Sequence, residues 1–575
     1  MQSQGILIAN RGEISIRIAR AAADMGIRSV AVYSSDDHTS LHTKIANEAV
    51  LIPGTGAKAY LDIEQIILAA QAANCDAIHP GYGFLSERAD LAVSCAAAGI
   101  TFIGPSEAHL KLFGDKGAAR RAAIDAGVPV LAGTDHAVTL EQLTEFFDTV
   151  NGSIMIKAVA GGGGRGTRIV HKREDLEEAF ERCQSEATAA FGLGDVYVEE
   201  FLLRARHIEV QILGDSMGNI IHFGERECSV QRRNQKVVEI APAPNLSASL
   251  RDKIISAAVS FAQQQHYISL GTFEFLVDDS GSNTGDSGDS PADDQFVFIE
   301  ANARLQVEHT VTEEVTGFDL VRGQIQIALG SSLAELGLDT KAPLSISGFA
   351  IQARVNLETI NSDGTVMPGS GTLARYEPPN GPGVRTDGFG YVGYNTNTAF
   401  DSLLAKVIVH ERSAQFKDAA RKTIRALSEF RLEGVRNNIS FVKNIISHRD
   451  FIEGAIHTRW VEEQIDQLTT DWQGPDLFVA SAPTVEANDG FAGVRVNTND
   501  PLALFTHQNA PAQATANEPR NIDTPDGLHA VFSPIQGTIV SIEAGVGKQV
   551  RAGDAVVIVE AMKMEHVIVA ECDAV

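Results

Sequence analysis

The stretch Phe296-Val-Phe-Ile-Glu-Ala-Asn-Ala-Arg-Leu-Gln-Val-Glu-His309 concentrates residue types that do chemistry. It starts as a buried β-strand through Phe296 and Phe298. Glu300, Asn302, Arg304, Gln306 and Glu308 then follow at every second position. Alternate residues of an extended chain share one face. The spacing therefore predicts a wall of two acids, two amides and one base, with Ala301, Ala303, Leu305 and Val307 facing the other way. Polar groups on an apolar strand are costly to bury without partners. A metal, a phosphate or a small charged substrate would supply them. The plainer reading is an edge strand whose polar face meets water.

Further candidates lie upstream. Thr272-Phe-Glu274-Phe-Leu-Val277 sets one acid on an otherwise apolar strand, as Glu300 does on the strand 296–300. Between them, residues 278–295 are mostly Asp, Ser, Gly and Asn, the composition of a long hairpin loop. Pairing the two strands would set Glu274 beside Glu300. Two buried carboxylates repel unless a cation or a shared proton intervenes. With Asn302 near, Mg²⁺ suits them, since it takes carboxylates together with nucleotide phosphates. Ile154-Met-Ile-Lys157 reads as a strand ending in a lysine, followed by Gly161-Gly-Gly-Gly-Arg165-Gly166. Successive glycines let backbone N–H groups converge on an anion. They also make a hinge, and a phosphate-covering flap has to move. No Gly-Lys-Ser/Thr closes the run, so it is not a Walker loop. Val196 to Leu202 reads as a strand whose end could meet an adenine and a ribose. His207-Ile-Glu-Val-Gln211 alternates polar with apolar, and Arg226 to Lys236 is a basic stretch in an acidic protein.

Several scaffold elements must position these groups. Gly5 to Ala9 is a short strand. The helix after it shows one apolar face (Ile14, Ile18, Ala21, Met25) and closes at Gly26. Ser29 to Tyr33 is the next strand, and this βαβ start implies a parallel sheet. It lacks the spaced glycines of a dinucleotide site. His79-Pro-Gly-Tyr-Gly-Phe-Leu-Ser-Glu87 reads first as a turn at that sheet's edge. The 575 residues imply three or four domains. A formal charge of −27 gives no global attraction for nucleic acid or an anionic membrane. No apolar run has the length of a membrane span, and five scattered cysteines outline neither a disulfide framework nor a zinc site. These features predict a cytoplasmic enzyme.

Ala9-Asn-Arg-Gly-Glu-Ile14, His79-Pro-Gly-Tyr-Gly83, Gln231-Arg-Arg-Asn-Gln-Lys-Val-Val238, Asn302-Ala-Arg-Leu-Gln-Val-Glu-His309 and Gln352-Ala-Arg-Val-Asn356 together resemble an ATP-grasp biotin carboxylase from residue 5 to about 450. Near the end, Glu560-Ala-Met-Lys563-Met follows glycine-punctuated short strands and resembles a biotinyl carrier domain. The resemblance implies an α/β chain in five parts. They are a parallel-sheet N-terminal domain (1–113), an ATP-grasp domain with a glycine-rich lid (114–330), a C-terminal carboxylase domain (331–450), a linker (451–528) and a partial all-β, lipoyl-like biotinyl domain (529–575). In that family the carrier lysine sits near the middle of a two-fold barrel. Only 12 residues follow Lys563, so a fragment of a longer chain is expected.

The resemblance also implies a reaction. ATP and bicarbonate form carboxyphosphate, whose CO₂ passes to biotin. Lys116, Lys157 and the flap residues Gly163 and Gly164 would hold ATP phosphates, and Glu199, Glu200, Leu202, His207, Gln231 and Asn234 the nucleotide. Glu274, Glu300 and Asn302 would hold Mg²⁺ or Mn²⁺. Lys236, Arg304, Gln306 and Val307 would bind bicarbonate, Glu308 would deprotonate it, and Arg354 would stabilise the biotin enolate. Biotin would be carried on Lys563. The family often has His at 234, so Asn there departs from it. Implied partners are a carboxyltransferase subunit or downstream domain, a biotin protein ligase and further copies of the chain. Acetyl- or propionyl-CoA would be the final acceptor, with pyruvate or urea as alternatives. An ATP-grasp ligase acting on another carboxylate, or an inactive scaffold, are the readings from other classes.

Overall fold

The computed structural model describes residues 5–134, 136–150, 152–159, 167–191, 194–278, 296–339, 345–478, 531, 533, 537–561, 564–570, 572 and 574. These form two compact units, residues 1–477 and 478–575.

The first unit opens with a five-stranded parallel sheet: β1 (Ile6–Ile8), β2 (Ser29–Tyr33), β3 (Glu48–Leu51), β4 (Ala77–His79) and β5 (Thr101–Phe102), in the order β3-β2-β1-β4-β5. Alternation divides its side chains between two cores. Ile6, Ile8 and Ala31 pack with Ile14 and Ile18 of the helix Gly12–Asp24. Leu7, Val30 and Val32 pack with Ile66 and Leu91 on the opposite face. The parallel sheet expected from the βαβ start is present. The loop after β4 is more than a turn. Asn10 donates to the carbonyls of Pro80 (2.7 Å) and Tyr82 (2.8 Å), tying two loops together at the carboxyl ends of β1 and β4. Gly81 has φ +65, and a Cβ there would lie 2.8 Å from the Asn10 amide nitrogen, so a side chain would break this tie.

A small antiparallel sheet follows: β6 (Ile154–Ala158), β7 (Thr167–Val170) and β8 (Val196–Glu200), in the order β7-β6-β8. It has its own core of Ile154, Ile156, Val170, Val196 and Val198. The glycine run, with Gly163 and Gly164, lies outside the described residues.

The centre is an eight-stranded antiparallel sheet. Its strands are β9 (Ala205–Gly214), β10 (Ile220–Arg232), β11 (Gln235–Ala241), β12 (Ser269–Asp278), β13 (Phe296–Asn302), β14 (Phe349–Asn356), β18 (Val384–Gly388) and β19 (Leu403–Glu411). Their order is β13-β12-β9-β10-β11-β14-β19-β18. Four short strands fill the chain between these: β15 (Glu358–Ile360) with β16 (Val366–Pro368), and β17 (Arg375–Glu377) with β20 (Arg431–Glu433). The large sheet crosses residue 330, so the expected ATP-grasp and C-terminal domains share one sheet.

Two expectations need correction. The extended wall does not run to Glu308. β13 ends at Asn302, residues 303–308 turn, and Glu308 precedes the helix His309–Thr316 with φ −87 and ψ 8. The turn is held by the Arg304 N–H donating to the Asn302 carbonyl (2.8 Å). The linker expected from residue 451 also starts too early. Phe451, Ile456, Trp460, Val461 and Leu468 are buried, in and between three short helices at Arg449–Glu453, Trp460–Glu463 and Ile465–Leu468. Thr458 donates its N–H to the Ala205 carbonyl (2.9 Å), and Lys443 pairs with Asp476 (2.7 Å). These apolar residues bury against the body and extend it to Leu477. The rest of the expected linker, to residue 528, lies outside the described residues.

In the second unit, β21 (Thr538–Ile542), β22 (Ala555–Ala561) and β23 (Met564–Val569) form an antiparallel sheet in that order. Ala561 pairs with Met564, so the end of β22 lies opposite the start of β23. Lys563 itself lies outside the described residues. Ile539, Ile542 and Val567 are exposed. No helix among the described residues is long and apolar enough to cross a membrane.

Candidate functional site

The site is built across the large sheet. Antiparallel pairing sets Glu274 opposite Glu300 and Thr272 opposite Asn302. The neighbouring register sets Glu209 opposite Glu274. The period of two aims these acids at one face.

Glu274 is the most shared of the acids. It accepts from His207 Nε2 (2.6 Å), the Asn302 amide and the Gln306 amide (2.8 Å). Burial pushes its carboxyl upward, but Lys236 and His207 outweigh that and hold it below the usual range. Burial opposes charge on His207, yet the Glu274 carboxylate raises its pKa. Glu300 faces Lys116 Nζ at 3.3 Å. Burial again pushes its carboxyl up, and Lys116 and His207 bring it below the usual range. The two acids supply hard oxygen donors that fit a magnesium or manganese ion. The Asn302 amide instead turns its N–H toward both acids and its oxygen accepts from Arg304 (2.9 Å), so it would have to turn over to join them. His207 and Glu209 also place ligand atoms within 4.8 Å of Glu274, beyond the expected set.

Next to these acids, Lys236 of β11 reaches Glu209 (2.6 Å), Glu308 (2.6 Å) and Glu274 (3.5 Å). Its pKa is raised well above the usual lysine value: burial opposes the charge and the three carboxylates win. Glu308 is fully buried. Burial raises its pKa and Glu209 adds to that, but Lys236, Arg354 and Arg226 bring it below the usual range. Arg354 reaches Glu308 at 3.1 Å and Glu239 at 2.6 Å. Behind them Arg226, wholly buried, bonds Glu209 (2.6 Å), Gln211 (2.8 Å) and Thr312 (2.9 Å). Against the cost of burial, Lys236 and Arg226 hold the Glu209 carboxyl down at about 2.

The turn 303–308 brings the remaining predicted groups inward. Arg304 bonds Gln306 (2.7 Å) and Asn302 (2.9 Å) and meets Glu87 at 3.2 Å. The Val307 carbonyl accepts from the buried Lys406 (3.0 Å), which pairs with Glu13 (3.1 Å). Tyr82 of the His79–Gly83 loop donates to Glu13.

The nucleotide-site candidates are more dispersed. Lys157 pairs with Glu199 on the small sheet. Glu200 ends β8, and Leu202 follows it, half-buried. Gln231 is buried and pairs with Lys236 across β10 and β11. Asn234 is exposed in the hairpin turn, with φ 64 beside Arg233 at φ 45. Such a turn favours Asn for its backbone, which accounts for an asparagine there without a ligand.

Sequence reasoning missed Glu209, Glu239, Arg226 and Lys406. The alternation at His207–Gln211 signalled Glu209. Arg226 opens the basic stretch that ends at Lys236, while Glu239 and Lys406 are single charges on apolar runs, with no local pattern.

Family models match four consecutive stretches. Residues 2–110 match the biotin carboxylase N-terminal domain. Residues 115–336 match the ATP binding domain of the carbamoyl-phosphate synthase L chain. Residues 352–463 match the biotin carboxylase C-terminal domain, and residues 529–573 match a biotin-requiring enzyme. The biotin carboxylase domain of Hydrogenobacter thermophilus 2-oxoglutarate carboxylase, solved with MgADP, ADP and bicarbonate, is 38% identical. The match covers 81% of this chain and 99% of that one, with a TM-score of 0.74. The chain therefore belongs to the biotin carboxylase family. Human mitochondrial pyruvate carboxylase is 48% identical over 463 residues, covering 80% of this chain and 38% of that protein. A single-chain, multi-domain long-chain acyl-CoA carboxylase is 38% identical with a TM-score of 0.70, and the match covers 99% of this chain and 48% of that one. The chain thus spans about two fifths of the length of the curated relatives it matches.

Proposed function

We propose that the chain carboxylates biotin, using ATP and bicarbonate, as the first half-reaction of a biotin-dependent carboxylase. The observation that carries this is the adjacency of the Glu274–Glu300 pair to the buried Lys236–Glu308–Arg354 cluster. A cation–polyphosphate site then borders a small oxyanion site, as transfer of a phosphoryl group to bicarbonate requires. The relative solved with MgADP and bicarbonate supports the same pairing of ligands.

In this reading Lys116 and Lys157 bind ATP phosphates, with Gly163 and Gly164 of the flap. Glu199, Glu200, Leu202, His207 and Gln231 line the nucleotide, and Asn234 borders it. Glu274, Glu300 and Asn302 would hold Mg²⁺ or Mn²⁺, which would supply charge neutralisation to the phosphates. Arg304 presents a planar fork to bicarbonate, with Lys236, Gln306 and the backbone at Val307 around it. Glu308, ionised in its buried setting, accepts the bicarbonate proton. The oxygen then attacks the γ-phosphorus in line, ADP leaves, and carboxyphosphate forms. Carboxyphosphate would break down to CO₂ and phosphate. The phosphate would accept the N1′ proton of biotin as N1′ bonds the CO₂ carbon, and Arg354 would stand against the negative charge on the ureido oxygen. The carrier would present biotin on Lys563 after a biotin protein ligase attaches it.

An acyl-CoA acceptor is supported by the long-chain acyl-CoA carboxylase, whose match runs through the carrier stretch to 99% of this chain. Pyruvate is the second reading, favoured by the 48% identity to a pyruvate carboxylase within the carboxylase part. A carboxyltransferase and further copies of the chain complete the proposed assembly, in a cytoplasmic setting consistent with five free cysteines.

The test is ATP turnover. Hydrolysis should require bicarbonate and rise with free biotin. Turnover indifferent to both would refute the assignment and favour a ligase for another carboxylate.

A further inference from the structure

Glu239 has no exposed surface and no place in the reaction as set out above. It lies on β11 directly opposite Gln352 of β14. Gln352 donates its amide to Glu239 Oε2 (2.9 Å) and accepts from the Thr310 hydroxyl. Arg354, two residues along on the same face, donates Nε to Glu239 Oε1 (2.6 Å) and Nη2 to Glu308 Oε2 (3.1 Å). Thr310 is two residues after Glu308, in the first turn of the helix His309–Thr316. The contacts therefore close a ring: Glu308, Arg354, Glu239, Gln352, Thr310 and back through the helix turn.

We infer that Glu239 is a positioning residue that fixes the Arg354 guanidinium beside Glu308 for the biotin-directed step. The inference rests on the function proposed above. The physical reason is competition for one cation. Two buried carboxylates share Arg354, and each limits how far the guanidinium can turn toward the other. Without the charge on Glu239, Arg354 would turn fully onto Glu308. It would then be withdrawn from biotin and would weaken the base. The groups facing Glu308 are Lys236 and Glu239 of β11, Glu209 of β9, Arg226 and Cys228 of β10, and Arg354 of β14. Glu239 is the acid among them bonded to Arg354. Burial, more than its partial neutralisation by Arg354, raises its own pKa, and the charge of Glu308 adds to the rise.

The experiment is a pH profile of biotin-dependent ATP turnover in Glu239→Gln, Glu239→Asp and the wild-type chain. A guanidinium displaced by about 1 Å costs on the order of 100-fold in rate. Glu239→Gln should therefore lower kcat for biotin carboxylation by about 10- to 100-fold, with the KM for ATP unchanged. Its acidic limb should move to lower pH, because Glu308 loses a repelling neighbour and gains Arg354. Glu239→Asp keeps the charge, so the limb should stay in place with an intermediate rate. Gln352→Met loosens Glu239 while retaining every charge. It should lower kcat several-fold without moving the limb, and it carries the test if Glu239→Gln does not fold. An acidic limb that stays put in Glu239→Gln would overturn the inference. So would a KM for ATP that rises in step with the loss of kcat in either Glu239→Gln or Gln352→Met. Failure of the wild-type chain to respond to biotin would instead refute the function itself.

Discussion

The two halves of the site differ in how completely they are assembled. On the cation side, the Lys116 and Glu300 side chains keep 67% and 37% of their surface exposed. On the oxyanion side, Lys236 and Glu308 keep 13% and 1%. The first half leaves room for a large polyphosphate and its ion. The second is prearranged for a three-oxygen anion, with each charge already matched. Preorganised charge costs no reorganisation at the moment of reaction, whereas a bulky ligand needs an accessible entry.

Substitutions can test this contrast, starting where the effect should be greatest. Glu308→Gln should reduce biotin carboxylation by about 100-fold or more, with nucleotide binding retained in calorimetric titration. Near-normal turnover would remove Glu308 from the role of base. Lys236→Met should be costly to the fold. It leaves Glu209, Glu274 and Glu308 without their shared cation, and breaking a buried pair costs about 3–5 kcal/mol. Denaturant midpoints would measure the loss. A change no larger than that of a surface mutant would show that the oxyanion side is not prearranged by charge. Lys116→Gln should behave oppositely. Stability should shift by less than about 1 kcal/mol, as at an exposed pair, while the KM for ATP rises. Equal destabilisation by both lysine variants would erase the distinction between the halves.

Much of this site was legible because its logic is local. One acid on each of two apolar strands joined by a polar loop predicts that Glu274 and Glu300 meet, and they are register partners. Arg304, Gln306 and Glu308 reach the site, but through a turn and not through the extended period that singled them out. The residues that were not legible depend on long-range pairing. Glu239 meets Arg354 across 115 positions, and Lys406 meets the Val307 carbonyl across 99. A lone charge on an apolar strand acquires meaning only when the strand order is known. The segment 451–477 was misread for a related reason. Its apolar residues are spread over three helices too short to show a period.

The continuity of the large sheet past residue 330 bears on how such enzymes can be cut or recombined. Lys236 and Glu239 stand on β11, and Arg354 stands on the adjacent β14. A fragment ending at the limit of the ATP-binding match would expose the edge of β11 and lose Arg354, one of the three cations that neutralise Glu308. Exchange between relatives therefore has to carry Ala205 to Glu411 as one inheritable block, although two family models divide it.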